Sequence, residues 1–212
     1  MSFQVFDYRT DIRNLLVTPQ IRARFLRMEP GQVAPMHSHD LGHEIFLILQ
    51  GRCVFQISGG ERELGPGELC IALADEIHQV KCISEEPLVM YLSVTPHVQP
   101  THTGRDPDGT RHPTRFAPSS AYDVETDTET PAEVLIQRVA GAAEEMAQAA
   151  RRSADLQREA GERLATALAA GDLAQAGEIR EVMWEGLRDT YTRLYALADL
   201  WNDLAPRAGK CG

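Results

Sequence analysis

Cationic residues are scarce in this chain of 212 residues: 21 Lys and Arg stand against 31 Asp and Glu, for a net charge of −10. A nucleic acid or an anionic membrane surface is therefore not an expected partner, and no basic run with interleaved aromatics offsets the balance. Long apolar runs are missing too. Nothing approaches the roughly 18 residues of a membrane-spanning helix. The opening MSFQVFDYRTDIRNLL has early acids and no apolar stretch of signal length, so no signal peptide is expected. Cysteine is limited to Cys53, Cys70, Cys82 and Cys211, with no Cys-x-x-Cys pair. That spacing excludes a thiolate zinc site and offers no disulfide framework. A reduced, cytoplasmic setting is the simplest expectation, with Cys53, Cys70 and Cys82 as small core fillers.

Histidine is also rare, at seven residues, yet it is concentrated. The stretch GQVAPMHSHDLGHEIFLILQG carries His37 and His39 two apart, on one face of an extended strand. Asp40-Leu41-Gly42 is a turn signal, after which HEIFLILQ reads as a strand. Glu44 opens that strand, where pairing could return it beside the histidines. A fourth candidate, His78, opens HQVKCI beyond the hairpins CVFQIS–GG–ERELG and ELCIALA. Three imidazoles and a carboxylate suit one divalent transition metal ion, Fe, Mn, Ni, Cu or Zn, and leave coordination positions open. His43 competes with Glu44 but points to the opposite face of a regular strand, unless a bulge at Gly42 swaps them.

Gly31, His37, His39, Glu44 and Gly51 fit the first motif of the cupin superfamily at every position: Gly, five residues, His-x-His, a short spacer, Glu, six residues, Gly. The second motif is met by Gly67 and His78, while Leu73, Asp75 and Cys82 stand where it carries Pro, Gly and Asn. The chain thus resembles that superfamily over roughly residues 20 to 95. The resemblance implies a mainly β fold, a jelly-roll β-barrel (double-stranded β-helix) with the metal inside, and His37, His39, Glu44 and His78 as its ligands. Family activities include dioxygenases, isomerases, decarboxylases, lyases and sugar-binding regulators, among which fold does not choose.

Residues 1–95 are read as the barrel with its lead-in. FQVFDY is a possible short strand, IRARFLRM begins the barrel, and further strands are expected near 43–50, 52–58, 68–73, 77–83 and 88–95. Both alternating sets of HEIFLILQ are apolar, which predicts a strand buried on both faces. Residues 96–130 are rich in Pro, Gly, Thr and Asp, without periodicity. A loop of that length is a solvated linker or a strap across the barrel mouth, offering Arg105, Arg111 or Arg115 to an anionic substrate. His97, His102 and His112 also lie there, with no spacing that marks them as ligands.

From Thr130 the composition becomes Ala-rich and helical. Thr130 is a possible N-cap and Pro131 a first-turn proline. Leu135, Val139, Ala142, Met146, Ala149, Ser153, Leu156 and Ala160 recur as a seam, over a helix of roughly 60 Å. Gly171-Asp172 stops this helix and caps a second, from Leu173 to about Leu204, with Leu173, Ala176, Ile179, Met183, Leu187, Leu194, Leu197, Trp201 and Leu204 as its apolar face. Residues 131–205 are therefore expected as a C-terminal antiparallel α-helical hairpin, with 206–212 as a tail. Two hairpins could pair as a four-helix bundle, which makes a homodimer the expected assembly.

The reading favoured for the whole is a mononuclear metal enzyme, dioxygenase-like, acting on a small organic molecule. The competing one is a non-catalytic module that senses a metal or small molecule and signals through its hairpin. An enzyme should hold a further titratable group near the metal but outside its ligand set, and His43 and Glu68 are the barrel candidates for that place.

Overall fold

The computed structural model describes residues 3–125 and 127–208. Two antiparallel sheets face each other, and a pair of long helices follows. The strands are β1 (Asn14–Val17), β2 (Arg22–Met28), β3 (His37–Ser38), β4 (His43–Gln50), β5 (Cys53–Ile57), β6 (Gly60–Leu64), β7 (Leu69–Ala72), β8 (His78–Cys82), β9 (Leu88–Thr95) and β10 (Thr103–Gly104). One sheet runs β1-β2-β9-β4-β7 and the other β10-β3-β8-β5-β6. Chain neighbours such as β4 and β5 thus lie in different sheets, and the interior is lined from both. Met28, Phe46, Ile48, Phe55, Leu88 and Met90 fill it, with Cys53 and Cys82 among them. Burial pushes the Cys53 thiol up to about 12, as expected of an unreactive core filler. Cys211 lies outside the described residues.

Strand periodicity places the residues of β4. Glu44, Phe46 and Ile48 point inward and are buried, whereas Ile45, Leu47 and Leu49 on the outer face are half-buried rather than fully covered. The anticipated strand over FQVFDY does not form: those residues are coil ending in a turn, and pairing starts at Asn14.

Residues 96–127 are not a bare connector. Thr103–Gly104 extends the second sheet by pairing with β3, Thr103 opposite Ser38 and Gly104 opposite His37. Asp40 ties the segment down, accepting hydrogen bonds from Thr103 Oγ1 at 2.6 Å and Arg111 Nη2 at 2.5 Å. A 3₁₀ turn, Ser119–Tyr122, delivers the buried Tyr122.

The chain divides into two compact units, residues up to Asp127 with those from Ala205, and Thr128–Leu204. The second unit is α1 (Ala132–Ala169) and α2 (Leu173–Leu204). Arg193 pairs with Glu145 and Arg152 with Asp189, so the helices run antiparallel. Gly171 adopts φ +71°, and Asp172 Oδ1 accepts the Gln175 N–H at 3.0 Å, so the stop-and-cap signal forms as written. At the start of α1 the N-cap is Pro131 rather than Thr130, without a side-chain cap. Ala160, Ala167, Ala176 and Ile179 form the apolar centre of the hairpin. The apolar face assigned to α2 is only partly used: Leu173, Leu187 and Leu194 are exposed. Among the described residues no helix is long and apolar enough to cross a membrane.

Candidate metal centre

The four candidate ligands come from both sheets. His37 lies on β3, opposite His78 on β8, and His39 follows one residue past the end of β3. Glu44 reaches across from β4 on the facing sheet. His43, its neighbour, is exposed and accepts the Ala74 N–H at Nδ1, so no bulge exchanges the two. Glu44 Oε2 lies 2.7 Å from His39 Nε2, 3.1 Å from His78 Nε2 and 3.8 Å from His37 Nε2. One donor atom from each of the four residues lies within 4.8 Å of every other.

The outer edges of the rings explain this convergence. His37 Nδ1 bonds the Pro35 carbonyl at 2.9 Å, His78 Nδ1 the Glu76 carbonyl at 2.9 Å, and His39 Nδ1 the Thr101 carbonyl. A carbonyl oxygen only accepts, so each Nδ1 must carry the proton, and in a neutral ring each Nε2 is then a lone pair. Three lone pairs directed at a carboxylate oxygen repel unless a cation lies among them. A divalent metal ion, or protons in its stead, satisfies that arrangement, and the donor set of three imidazoles and one carboxylate fits such an ion.

Burial alone pushes the Glu44 carboxyl up. The three surrounding imidazoles outweigh it and, where they carry a second proton in the absence of a metal, hold the group well below the usual carboxylate range. Arg22 of β2, itself buried, adds its guanidinium 3.8 Å from Glu44 Oε1. The site therefore keeps a fixed anion even though Glu44, His39 and His78 are almost sealed from solvent. His37 is the open edge, with 19% of its side chain exposed.

The turn before His78 forms despite its departures from the family pattern. Asp75 occupies the left-handed region at φ +64°, a conformation Asp tolerates better than most residues, and its N–H bonds the His39 carbonyl at 2.8 Å. Glu68, by contrast, is exposed and accepts the Gly65 N–H at 2.6 Å within a turn. Neither His43 nor Glu68 joins the cluster.

The group that does stand beside it comes from residues 96–127. The His102 ring is 5.0 Å from that of His37 and 4.8 Å from that of His39. Its Nδ1 is 2.8 Å from Thr101 Oγ1, which also meets the Tyr122 hydroxyl at 2.7 Å. Burial pushes His102 well below the ordinary imidazole range, which keeps it neutral. His112 is exposed and pairs with Asp106. Sequence spacing could not single out His102, Tyr122 or Arg22, because their approach depends on long-range pairing of β10 and β2.

His97 packs edge-on against Tyr122, and burial pushes its pKa down to about 4. Between that value and the ordinary 6.5 the unfolded chain binds a proton that the folded chain refuses. Stability from His97 is therefore complete above about pH 6.5 and lost as pH falls through about 4. Urea midpoints of chelator-stripped protein should drop steadily across that window. A flat midpoint would contradict the burial of a neutral His97.

The family model for the Cupin domain matches residues 24–95. No curated protein matches the chain. Several solved structures resemble it. An uncharacterized conserved protein with a double-stranded β-helix domain from Klebsiella pneumoniae is 20% identical, covering 45% of this chain and 91% of its own, with a TM-score of 0.42. KdgF from a Halomonas species is 24% identical, over 42% of this chain and 79% of its own, with a TM-score of 0.38. TT1209 from Thermus thermophilus is 23% identical, over 40% and 80%, with a TM-score of 0.38. The family match spans the β2–β9 stretch that carries all four convergent side chains, and it is this stretch that likens the chain to the cupin superfamily.

Proposed function

We propose that His37, His39, Glu44 and His78 hold one divalent transition metal ion, and that the barrel is a mononuclear metal enzyme, dioxygenase-like, acting on a small organic molecule. The observation that carries the first part is the set of three carbonyls that turn three imidazole lone pairs onto one buried carboxylate. When bound, the metal would supply Lewis-acid activation at its open coordination positions.

The protein's own contribution is positional. Carbonyl contacts fix each ring's orientation and tautomer, so little rearrangement is needed on metal binding. Glu44 stays ionised beside Arg22, and the apolar barrel wall excludes water from the inner side. His37 leaves an approach from the strap side. Support for catalysis over simple sensing is His102, an imidazole that faces the cluster without belonging to it.

Elemental mass spectrometry on untagged protein purified anaerobically tests the reading. About one Fe or Mn per chain is expected, and would justify oxygen-consumption screens against small organic molecules. Zn or Ni would redirect the chemistry to isomerase or lyase reactions. No metal, with none taken up on reconstitution, would refute the metal site itself.

A further inference from the structure

We propose that the cavity between His37 and the strap binds a small carboxylate with an apolar body, gripped at its charged end by Arg115. This rests on the reading of the barrel as a small-molecule site beside a metal, and names the class of molecule.

The cavity measures about 390 Å³, within the range of small-molecule sites. His37, the least buried member of the cluster, lines it, so a bound molecule would lie beside the candidate metal centre. His102 and Tyr122 close a second wall, and Met36 and Ala117 supply apolar surface. Among the described residues, Arg115 is the one formally charged residue of the lining, and no Asp or Glu belongs to it.

The strap's three arginines separate by role. Arg111 bonds Asp40, while Arg105 donates to Ser38 Oγ at 3.0 Å and to the Gly109 carbonyl at 3.3 Å. Both are spent on fastening the strap. Arg115 makes no hydrogen bond or ion pair among the described residues. A guanidinium at the solvent-exposed rim of this cavity, not engaged in fastening the strap, is free to meet an anion, and its planar fork matches a carboxylate. A phosphate would be expected to draw several cationic or backbone donors, and this lining offers one cation and no helix N-terminus. The chain's net charge of −10 sharpens the point, since the protein as a whole repels anions and any affinity for one must be local.

Isothermal titration of the zinc-loaded full chain with benzoate, phenylacetate and hexanoate, and with their uncharged amides, decides the matter. At least one carboxylate should bind about tenfold more tightly than its amide, and Arg115→Ala should erase that preference. Arg115→Lys should restore part of it, because the charge returns without the fork. Arg115 is exposed and outside the metal cluster, so Arg115→Ala should keep its fold and its metal content. Carboxylates binding no better than amides at millimolar concentration, or a preference that survives Arg115→Ala, would overturn the proposal. Metal content measured on the same samples separates this failure from failure of the metal reading. If no zinc is taken up, the same titration on the metal-free chain still decides for or against Arg115.

Discussion

A chain carrying His37→Ala together with His39→Ala should fold its barrel and retain no metal. Two of the three imidazoles vanish, leaving His78 and Glu44 as the remaining candidate ligands, from opposite sheets. Loss of an outer-shell partner alone typically costs roughly 10–100-fold in metal affinity, and loss of two direct ligands costs far more. The fold should survive because the core of Phe46, Ile48, Phe55, Leu88 and Met90 is made without either histidine. The Thr101 carbonyl would lose its partner, and Glu44 would keep only His78 and Arg22. A destabilisation on the order of 1–3 kcal/mol follows from such unmet buried groups. Elemental mass spectrometry and far-ultraviolet circular dichroism would report the two halves separately. Stoichiometric metal in both wild type and variant would remove these residues from the site.

The largest effect on stability is expected at Gly51. It closes β4 into β5 at φ +75°, where an L side chain is strained by roughly 1–2 kcal/mol. A Cβ there would also meet the Pro87 carbonyl oxygen and Ser84 Oγ at 2.9 Å and Leu88 Cα at 3.0 Å. Two of these three are backbone atoms of the turn entering β9, which cannot swing aside. Gly51→Ala should therefore cost about 3 kcal/mol in urea denaturation. Gly59→Ala is the matched control, since Gly59 has φ +81° but nothing within 4 Å of a new Cβ. It should cost only the strain, about 1 kcal/mol. Equal losses at the two positions would show that close approach at Gly51 is not what requires glycine there.

These two sites also show what a sequence can carry. Gly51, His37, His39 and Glu44 are legible because each is fixed by local geometry: a turn, a two-residue strand period, the first inward residue of the next strand. The helical hairpin is legible for the same reason, with the Gly171-Asp172 signal setting its corner. The inner surroundings of the candidate metal centre are a different matter. Arg22 reads as one more arginine in an alternating strand until β2 pairs with β9 and brings it to Glu44. His102 reads as one of three histidines in an aperiodic loop until β10 pairs with β3. The half-covered outer face of β4 and the unused leucines of α2 fail in the other direction. Their apolar pattern predicts burial, but pattern does not say whether a neighbour is there to provide it.

The three contacts that aim the histidines are made by the main chain at Pro35, Glu76 and Thr101. A carbonyl is common to every residue, so no single substitution at these three positions can delete the acceptor while the backbone keeps its course. The aim of the three rings therefore depends on the course of the backbone there and not on which side chains it carries. The cavity wall built from His102, Arg115 and Tyr122 has no such protection, because each of its contributions is a particular side chain. Substitution can thus reach the cavity wall and the four candidate ligands directly, whereas the carbonyls that aim the rings lie beyond its reach.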